Sequence, residues 1–291
     1  MAISLGGGGS ASVINETIDI NSTENLITLA DGRVYLKGGV TETDLTTYPD
    51  ATAGWAYTGT TFSTAAQATS ADGESDIGWD GTYFWLLERG NARVYKYNAS
   101  GVYQNVSFSV YSQHPQPQGI VCVGSDFYIS GETNHKVSKY NSSGVFQSDW
   151  SVPSPRHYVR AIAYDGTYLW LLSNYQQTVN KYSLAGVYQN VSFSVSAISN
   201  NLHGLTWDGT HFWVAERNGD TLFQFTASGV YTGFSFSVAA QGTSPYGVTW
   251  DGSALWTIDN SSSAAFKYQN QIGVGSQGGT EYGNQNYVRI K

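Results

Sequence analysis

The sequence of 291 residues predicts an all-β protein: a five-bladed β-propeller of four-stranded blades, closed by an N-terminal outer strand and preceded by an extended N-terminal arm. Three observations predict this fold. A unit of about 43 residues recurs along the chain. Each unit contains four short strand patterns separated by turn residues, as in a propeller blade. Helical periodicity is almost absent.

Two series of glycines mark the repeat. One series opens a Gly-Val-(Tyr/Phe) segment at Gly101, Gly144, Gly186 and Gly229, and the decapeptide GVYQNVSFSV stands identically at the first and third of these. The other series lies in WDG-like turns, at Gly81, Gly124, Gly166, Gly209 and Gly252. An aromatic residue follows each turn, namely Trp85, Tyr128, Trp170, Trp213 and Trp256. We expect these aromatic side chains to pack between blades, and the aspartate of the turn to shape the turn rather than act as an acid.

The second repeat shows the four strands of a blade clearly. QGIVCV, DFYIS, KVSKY and VFQSDWSV alternate aromatic or β-branched residues with polar ones, and Gly, Asn or Ser turns separate them. The last repeat, in contrast, ends after its third strand. The missing strand has its counterpart at the other end of the chain, because YTGTTFSTAAQATS at 57–70 resembles YTGFSFSVAAQGTS at 231–244.

This resemblance predicts how the ring closes. A strand near Tyr57–Thr64 should complete the blade that begins at Tyr246, joining the first and last blades and removing the open sheet edges. A sixth blade built from residues 18–48 is the alternative, although that segment lacks the turn and aromatic markers.

The chain therefore divides into three predicted parts. Residues 1–53 form a Gly-rich arm and a short β segment, with two strands around an Asp31-Gly32 turn, which we expect to serve attachment. Residues 54–270 form the propeller. Residues 271–291 form a Gly/Asn-rich C-terminal tail that ends in YVRIK.

Composition excludes several classes of function. The net charge of −8 disfavours nucleic acid and anionic membrane surfaces as partners, and no apolar run approaches the ~20 residues of a membrane span. The single cysteine, Cys122, excludes an intrachain disulfide framework and a thiolate zinc site. The five histidines show no metal-binding spacing, so we expect no metal and no cofactor. The N-terminus lacks the basic and apolar regions of a secretory signal.

Candidate functional residues are those at which the repeats differ. Two sets of variable positions, one entering each inner strand and one following each second strand, should share one face of the propeller. The predicted ligand-binding mouth on this face consists of Arg89, Glu132, Arg160, Asn174, His203, Arg217 and Tyr246. A solvated mouth that binds nothing is the alternative. No residue is assigned a catalytic role.

The repeat resembles a known family. GIVCVGSDFYISGETNHKVSKYNSSGVF is similar to the NHL-type propeller repeat, through the aromatic pair Phe127-Tyr128 and the Asn-His-Lys-Val sequence at 134–137. This resemblance implies a propeller and leaves function open. The segments LADGRVYLKGG and YVRIK resemble parts of tailed-phage tail-fibre and appendage proteins.

These resemblances lead to a predicted function. The protein is expected to be a non-enzymatic bacteriophage structural protein, as a tail fibre, a spike or a capsid decoration, that displays the propeller for contact with host-surface glycans. Residues 1–53 would bind other virion proteins within a homo-oligomer or larger assembly, and the protein would reside on the virion after host lysis. A free-standing lectin-like or adhesin propeller is one alternative. The other is a glycan hydrolase that pairs Glu88 with Glu216, or Glu132 with Asp259.

Overall fold

A computed structural model describes residues 26–28, 34–37, 54–68, 73–131, 133–271 and 287–289. The Gly-rich start of the chain, the predicted Asp31-Gly32 turn and Glu132 lie outside the described residues. The chain forms two compact units. One unit comprises Tyr57–Gln269, and the other is formed from the two chain ends, Met1–Ala56 and Asn270–Lys291.

The terminal unit contains a three-stranded antiparallel sheet. Its strands are β1 (Leu26–Thr28), β2 (Val34–Lys37) and β23 (Tyr287–Arg289), in the order β1-β2-β23. The C-terminal segment YVR thus pairs with the VYLK segment near the N-terminus.

The other unit is a five-bladed β-propeller, which confirms the predicted fold class. The first blade is β4 (Glu74–Trp79), β5 (Tyr83–Glu88), β6 (Arg93–Asn98) and β7 (Tyr103–Ser109). The second blade is β8 (Pro117–Val123), β9 (Asp126–Gly131), β10 (Lys136–Tyr140) and β11 (Phe146–Ser151). The third blade is β12 (Val159–Tyr164), β13 (Leu169–Ser173), β14 (Thr178–Tyr182) and β15 (Tyr188–Ser194).

The fourth blade is β16 (Leu202–Trp207), β17 (His211–Glu216), β18 (Thr221–Thr226) and β19 (Tyr231–Ser237). The fifth blade is β20 (Pro245–Trp250), β21 (Leu255–Asp259), β22 (Ala264–Gln271) and β3 (Gly54–Ser63). The inner strands β4, β8, β12, β16 and β20 contact one another in ring order, and β20 meets β4. The described part of the chain contains no helix that is long and apolar enough to cross a membrane.

Strand β3 closes the ring as predicted. It starts at Gly54, three residues before the predicted Tyr57, and its side chains bind the neighbouring strand: Thr61 Oγ1 donates to the carbonyl of Ala265 at 2.8 Å. Just beyond the strand, the Thr64 amide donates to the carbonyl of Ser263 at 2.8 Å. The alternative sixth blade is wrong, because β1 and β2 pair with β23 in a separate sheet.

Aromatic side chains lock each blade to the next. Trp85 of the first blade packs edge-on against Phe127 of the second at 4.6 Å between ring centroids. Trp256 of the fifth blade meets Phe84 of the first in the same way at 4.8 Å. The expectation that these repeated aromatics pack between blades is confirmed for Trp85, Trp170 and Trp256. Trp213 instead meets the rings of Phe234 and Phe236 in its own blade.

The aspartate of the WDG-like turn has two roles, of which the sequence predicted one. In the first blade Asp80 Oδ1 accepts the amides of Thr82 and Tyr83, which shapes the turn. Its Oδ2 accepts the indole N–H of Trp85 at 2.7 Å. The same indole bond recurs at Asp165–Trp170, Asp208–Trp213 and Asp251–Trp256. The second repeat has Val123 and Tyr128 at these positions, so both partners change together.

Candidate functional site at the propeller mouth

The two sets of variable positions lie side by side on one face. In the third blade, the Asn174 amide after the second strand donates to the carbonyl of Tyr158, just before the inner strand, at 3.2 Å. In the fourth blade the amide of Arg217 makes the equivalent bond to the carbonyl of Asn201 at 3.1 Å. These backbone bonds fix the predicted mouth residues at the entrance of the inner strands.

His203 experiences the positive charges of the predicted mouth arginines. Its side chain is buried, and its pKa is lowered to about 3 by burial and by the positive charges of three arginines. The three are Arg160, Arg217 and Arg89, which come from the third, fourth and first blades. The imidazole is therefore neutral at pH 7. The structure brings all three predicted arginines close enough to act on one ring.

Tyr246 lies between His203 and Arg217. Its ring meets the imidazole edge-on at 4.5 Å between centroids, and the guanidinium carbon of Arg217 stands 4.7 Å from its centroid. Arg217 Nε donates to Ser244 Oγ at 3.0 Å, and His203 Nε2 lies 3.0 Å from Asn201 Oδ1. Three predicted mouth residues thus form one packed column.

Neutral groups hold the arginines in place. Arg89 Nη2 donates to Gln116 Oε1 at 3.5 Å, and Arg160 Nη1 donates to Gln118 Oε1 at 3.4 Å. Arg89 Nε is buried and has no hydrogen-bond partner among the residues that the structure describes. Among the residues that the structure describes, no carboxylate forms an ion pair with Arg89 or Arg217, a state that favours an incoming anion.

The carboxylates predicted to share this face are engaged elsewhere. Glu88 Oε2 accepts the amide of Asn91 at 2.7 Å, and Glu216 Oε1 accepts the amide of Asn218 at 3.0 Å. Asp259 Oδ1 accepts the amide of Ser262 at 2.9 Å. Each therefore caps its own loop. Glu132 lies outside the described residues, so its predicted place in the mouth stays a prediction.

Asn174 directly follows the second strand of the third blade, at the edge of the mouth. Its Oδ1 is buried and accepts no hydrogen bond within the described part of the chain. Beside it stand four aromatic side chains that the sequence analysis did not single out: His135, His157, Tyr158 and Tyr175. The signal that could have found them is the appearance of tyrosine at two positions where the other repeats have small or polar residues.

The sequence analysis also did not single out Asp76. It lies in the inner strand of the first blade at a position where the other blades have Gly119, Ala161, Gly204 and Gly247.

Across the described residues, no group of three or more His, Cys, Asp or Glu side chains is arranged to hold a metal ion. Burial raises the pKa of the Cys122 thiol well above its usual value, which disfavours the reactive thiolate.

Comparison with known proteins shows the fold alone. No protein-family model matches the sequence, and neither does any curated protein. Glutaminyl cyclase from Myxococcus xanthus has a similar structure, with a TM-score of 0.61 at 10% identity, covering 74% of this chain and 95% of the cyclase. Virginiamycin B lyase from Staphylococcus aureus, at 15% identity, has a TM-score of 0.46 and covers 84% of this chain and 79% of the lyase. Nidogen in its laminin complex, at 13% identity, has a TM-score of 0.48, and the match covers 61% of this chain and 68% of the nidogen chain.

This finding corrects one expectation from the sequence. The expectation that the protein is not an enzyme is wrong as an inference, because glutaminyl cyclase is an enzyme that shares this fold. The lack of familiar enzyme motifs supported the exclusion, but catalytic groups on a propeller are brought together by the fold from separate blades. A sequence motif is therefore a poor test for them.

Proposed function

We propose that the propeller binds acidic glycans, those carrying carboxylate or sulfate groups, through the mouth formed by Arg89, Arg160, Arg217, His203 and Tyr246. The observation that carries the proposal is the placement of Arg217 over the Tyr246 ring, 4.7 Å from its centroid, where that ring packs against His203 at 4.5 Å. The charges of Arg160, Arg217 and Arg89 all act on this imidazole. Guanidinium groups recognise carboxylate and sulfate oxygens through paired hydrogen bonds, and partial burial strengthens these bonds.

The packing of the mouth supports a saccharide as the bearer of the negative charge. The ring of Tyr246 lies under Arg217 and beside His203, so an apolar ring face adjoins the cationic groups. Sugars combine C–H faces with polar edges, and tyrosine is well suited to such amphipathic ligands because its ring is rigid and loses little entropy. The overall charge of −8 places this cationic mouth on an otherwise acidic protein, which favours selective contact with one anionic feature.

We further propose that the glycan belongs to a host surface and that the propeller is displayed on a phage particle. The resemblance of LADGRVYLKGG and YVRIK to appendage proteins supports this role. The pairing of β2 with β23 supports it as well, because the two resembling segments form one sheet at the chain ends. In this proposal, that terminal sheet and residues 1–53 attach the protein to other virion proteins.

The test uses the full chain on an array of acidic and neutral glycans. We expect binding to acidic glycans that weakens as salt rises from about 0.05 to 0.5 M, because salt screens the guanidinium charges. Arg217→Gln and Arg89→Gln should each weaken binding by at least about tenfold, the loss expected for a hydrogen bond to a charged group.

Arg93→Gln is the matched control. Arg93 donates to Ser107 Oγ at 2.8 Å, and its charge is not among those that lower the pKa of His203. It should bind acidic glycans like the unmodified protein. The proposal is contradicted if the unmodified protein binds no acidic glycan, or if the two mouth variants bind as well as the control.

A further inference from the structure

Four aromatic side chains gather at the seam between the second and third blades. Ring centroids lie 4.6 Å apart for His135 and His157, and 4.5 Å apart for His157 and Tyr158. Tyr175 stacks on His157 at 5.8 Å, with 27° between the ring planes. We call these four residues the seam cluster. Its tyrosines are specific to this seam, since the repeat equivalents of Tyr158 are Gly73, Gln116, Asn201 and Ser244, and those of Tyr175 are Gly90, Thr133, Asn218 and Ser261.

Tyr158 adopts a backbone conformation that is unfavourable for its residue type. Its φ is +67°, in the left-handed region that favours glycine, and the equivalent residue in the first blade is Gly73 with φ +52°. A tyrosine kept in this conformation has a cost to folding, and such strain clusters at binding and catalytic sites. The backbone conformation therefore does not explain why tyrosine, rather than glycine, stands at position 158.

Backbone bonds hold the seam cluster rigidly. Ser173 Oγ donates to the carbonyl of His157 at 3.0 Å, and the amide of Asn174 donates to the carbonyl of Tyr158 at 3.2 Å. The amide of Val152 donates to the carbonyl of His135 at 2.7 Å. The main chain that carries three of the four rings is thus held in place before a ligand binds, which reduces the entropy lost on binding.

The seam cluster combines exposed rings with unsatisfied polar atoms. Tyr175 is 70% exposed and Tyr158 is 36% exposed. Nδ1 of His135, Nδ1 of His157 and Oδ1 of Asn174 are buried, and in the part of the chain that is described none of these atoms has a hydrogen-bond partner. Buried polar atoms without partners are rare in folded proteins. A ligand that offers both an apolar face and hydroxyl groups would satisfy both features.

We propose that the seam cluster is a second saccharide subsite, at which a pyranose ring stacks on Tyr175 and Tyr158. This inference rests on the proposed function and extends it. Tyr158 precedes the mouth residue Arg160 by two positions, and Tyr175 directly follows Asn174 at the edge of the mouth. The ligand is then at least a disaccharide, with its acidic group at the arginines and a neighbouring ring on the tyrosines.

The experiment compares an acidic monosaccharide with the matching acidic tetrasaccharide, both taken from the glycan that the full chain binds best on the array. The unmodified protein should bind the tetrasaccharide more tightly. Tyr175→Ala and Tyr158→Gly should each lower tetrasaccharide affinity by about three- to tenfold, the range of one aromatic stacking contact. Neither should change monosaccharide affinity or the salt dependence, because no charge is removed. Tyr158→Gly suits the left-handed backbone, so the variant should fold normally.

Tyr111→Ala is the matched control, since Tyr111 is 61% exposed and lies outside the seam cluster. The two proposals fail in different ways. If no acidic glycan binds, both are wrong. If the tetrasaccharide binds, and Arg217→Gln weakens it while Tyr175→Ala and Tyr158→Gly behave like Tyr111→Ala, the mouth stands and the subsite is overturned.

Discussion

Asp76 is a buried carboxyl group at the propeller axis, where the other blades have glycine or alanine. Its oxygens accept the amides of Ile77 and Ile120 at 2.9 Å each, and it also bonds the backbone of Val248. The first, second and fifth blades thus meet at one side chain. Glycine is required opposite it, because a Cβ on Gly247 would lie 2.4 Å from Asp76 Oδ1. Burial raises the pKa of Asp76 well above its ordinary value despite these bonds.

This raised pKa gives a pH-dependent prediction. The folded state keeps the Asp76 proton at pH values where the unfolded chain has lost it. The contribution of Asp76 to stability is therefore complete below the unfolded pKa of about 4 and declines as pH rises through the folded pKa. Asp76→Asn cannot ionise, so the free energy of unfolding of the unmodified protein should fall relative to this variant as pH rises. Urea unfolding between about pH 4 and 8 measures the difference.

Comparing the unmodified protein with Asp76→Asn cancels the effect of the other titrating groups on stability. Burial lowers the pKa of His114 to about 4 and contributes to the low pKa of His203, so both proteins should lose stability as pH falls below about 6.5. That loss is common to both and cancels in the difference. A stability difference that stays constant across this pH range would contradict the role assigned to Asp76.

At the scale of the element, the outer strand explains why the repeat begins with glycine. Gly186 has φ +82°, and a Cβ there would approach the Trp150 ring of the preceding blade to 2.3 Å. Gly101 meets Phe62 in the same way at 2.1 Å. Each copy of the decapeptide thus accepts a ring from the preceding blade. Each copy also supplies a ring to the next blade, Phe108 against Gly144 and Phe193 against Gly229.

Two alanine substitutions separate the backbone effect from the packing effect. Gly166→Ala places alanine at φ +95° with no atom within 4 Å of its Cβ, so it should cost about 1–2 kcal/mol from the left-handed backbone alone. Gly186→Ala has a similar φ and also overlaps Trp150, which should add about 1–3 kcal/mol for overpacking. Chemical denaturation measures both. Equal losses for the two variants would show that the ring contact contributes nothing.

At the scale of the whole molecule, stability depends on a strand that is distant in sequence from the blade it completes. Phe62 of β3 is buried between Phe84 and Trp256, at 5.5 and 5.6 Å between centroids. Beyond the strand, Gln67 Oε1 accepts the hydroxyl of Tyr97 at 2.7 Å. The segment that contains Phe62 and Gln67 therefore contacts both the first and the fifth blade.

Truncation tests this closure. A chain that begins at residue 70 lacks β3 and should lose at least about 3 kcal/mol, mainly from the lost burial of Phe62 and its neighbours. Its melting temperature should fall by about 6–12 °C for a domain of this size, with aggregation through the exposed edge of β22. The control begins at residue 54 and keeps β3. It should melt like the full chain and bind glycans, while losing incorporation into particles. If the two truncations melt alike, β3 does not close the ring.

The amino-acid sequence by itself determined the blade number, the strands of each blade, the closing strand and the face that carries the mouth. These properties are local and repeated. A turn, a glycine or an alternating strand acts on residues within one repeat, and recurrence along the chain makes the signal visible. The sequence also singled out the three arginines, His203 and Tyr246 as candidate mouth residues, because they interrupt the repeat.

Only the tertiary structure decided what those residues do together. The sequence placed Glu88 and Glu216 on the mouth as possible partners, but in the structure each accepts a backbone amide of its own loop. Burial, together with the charges of arginines from three blades, lowers the pKa of His203, and Asp76 binds a backbone amide of the second blade. Electrostatic effects, burial and ring contacts depend on distances across the propeller axis and between blades, and sequence spacing does not encode those distances.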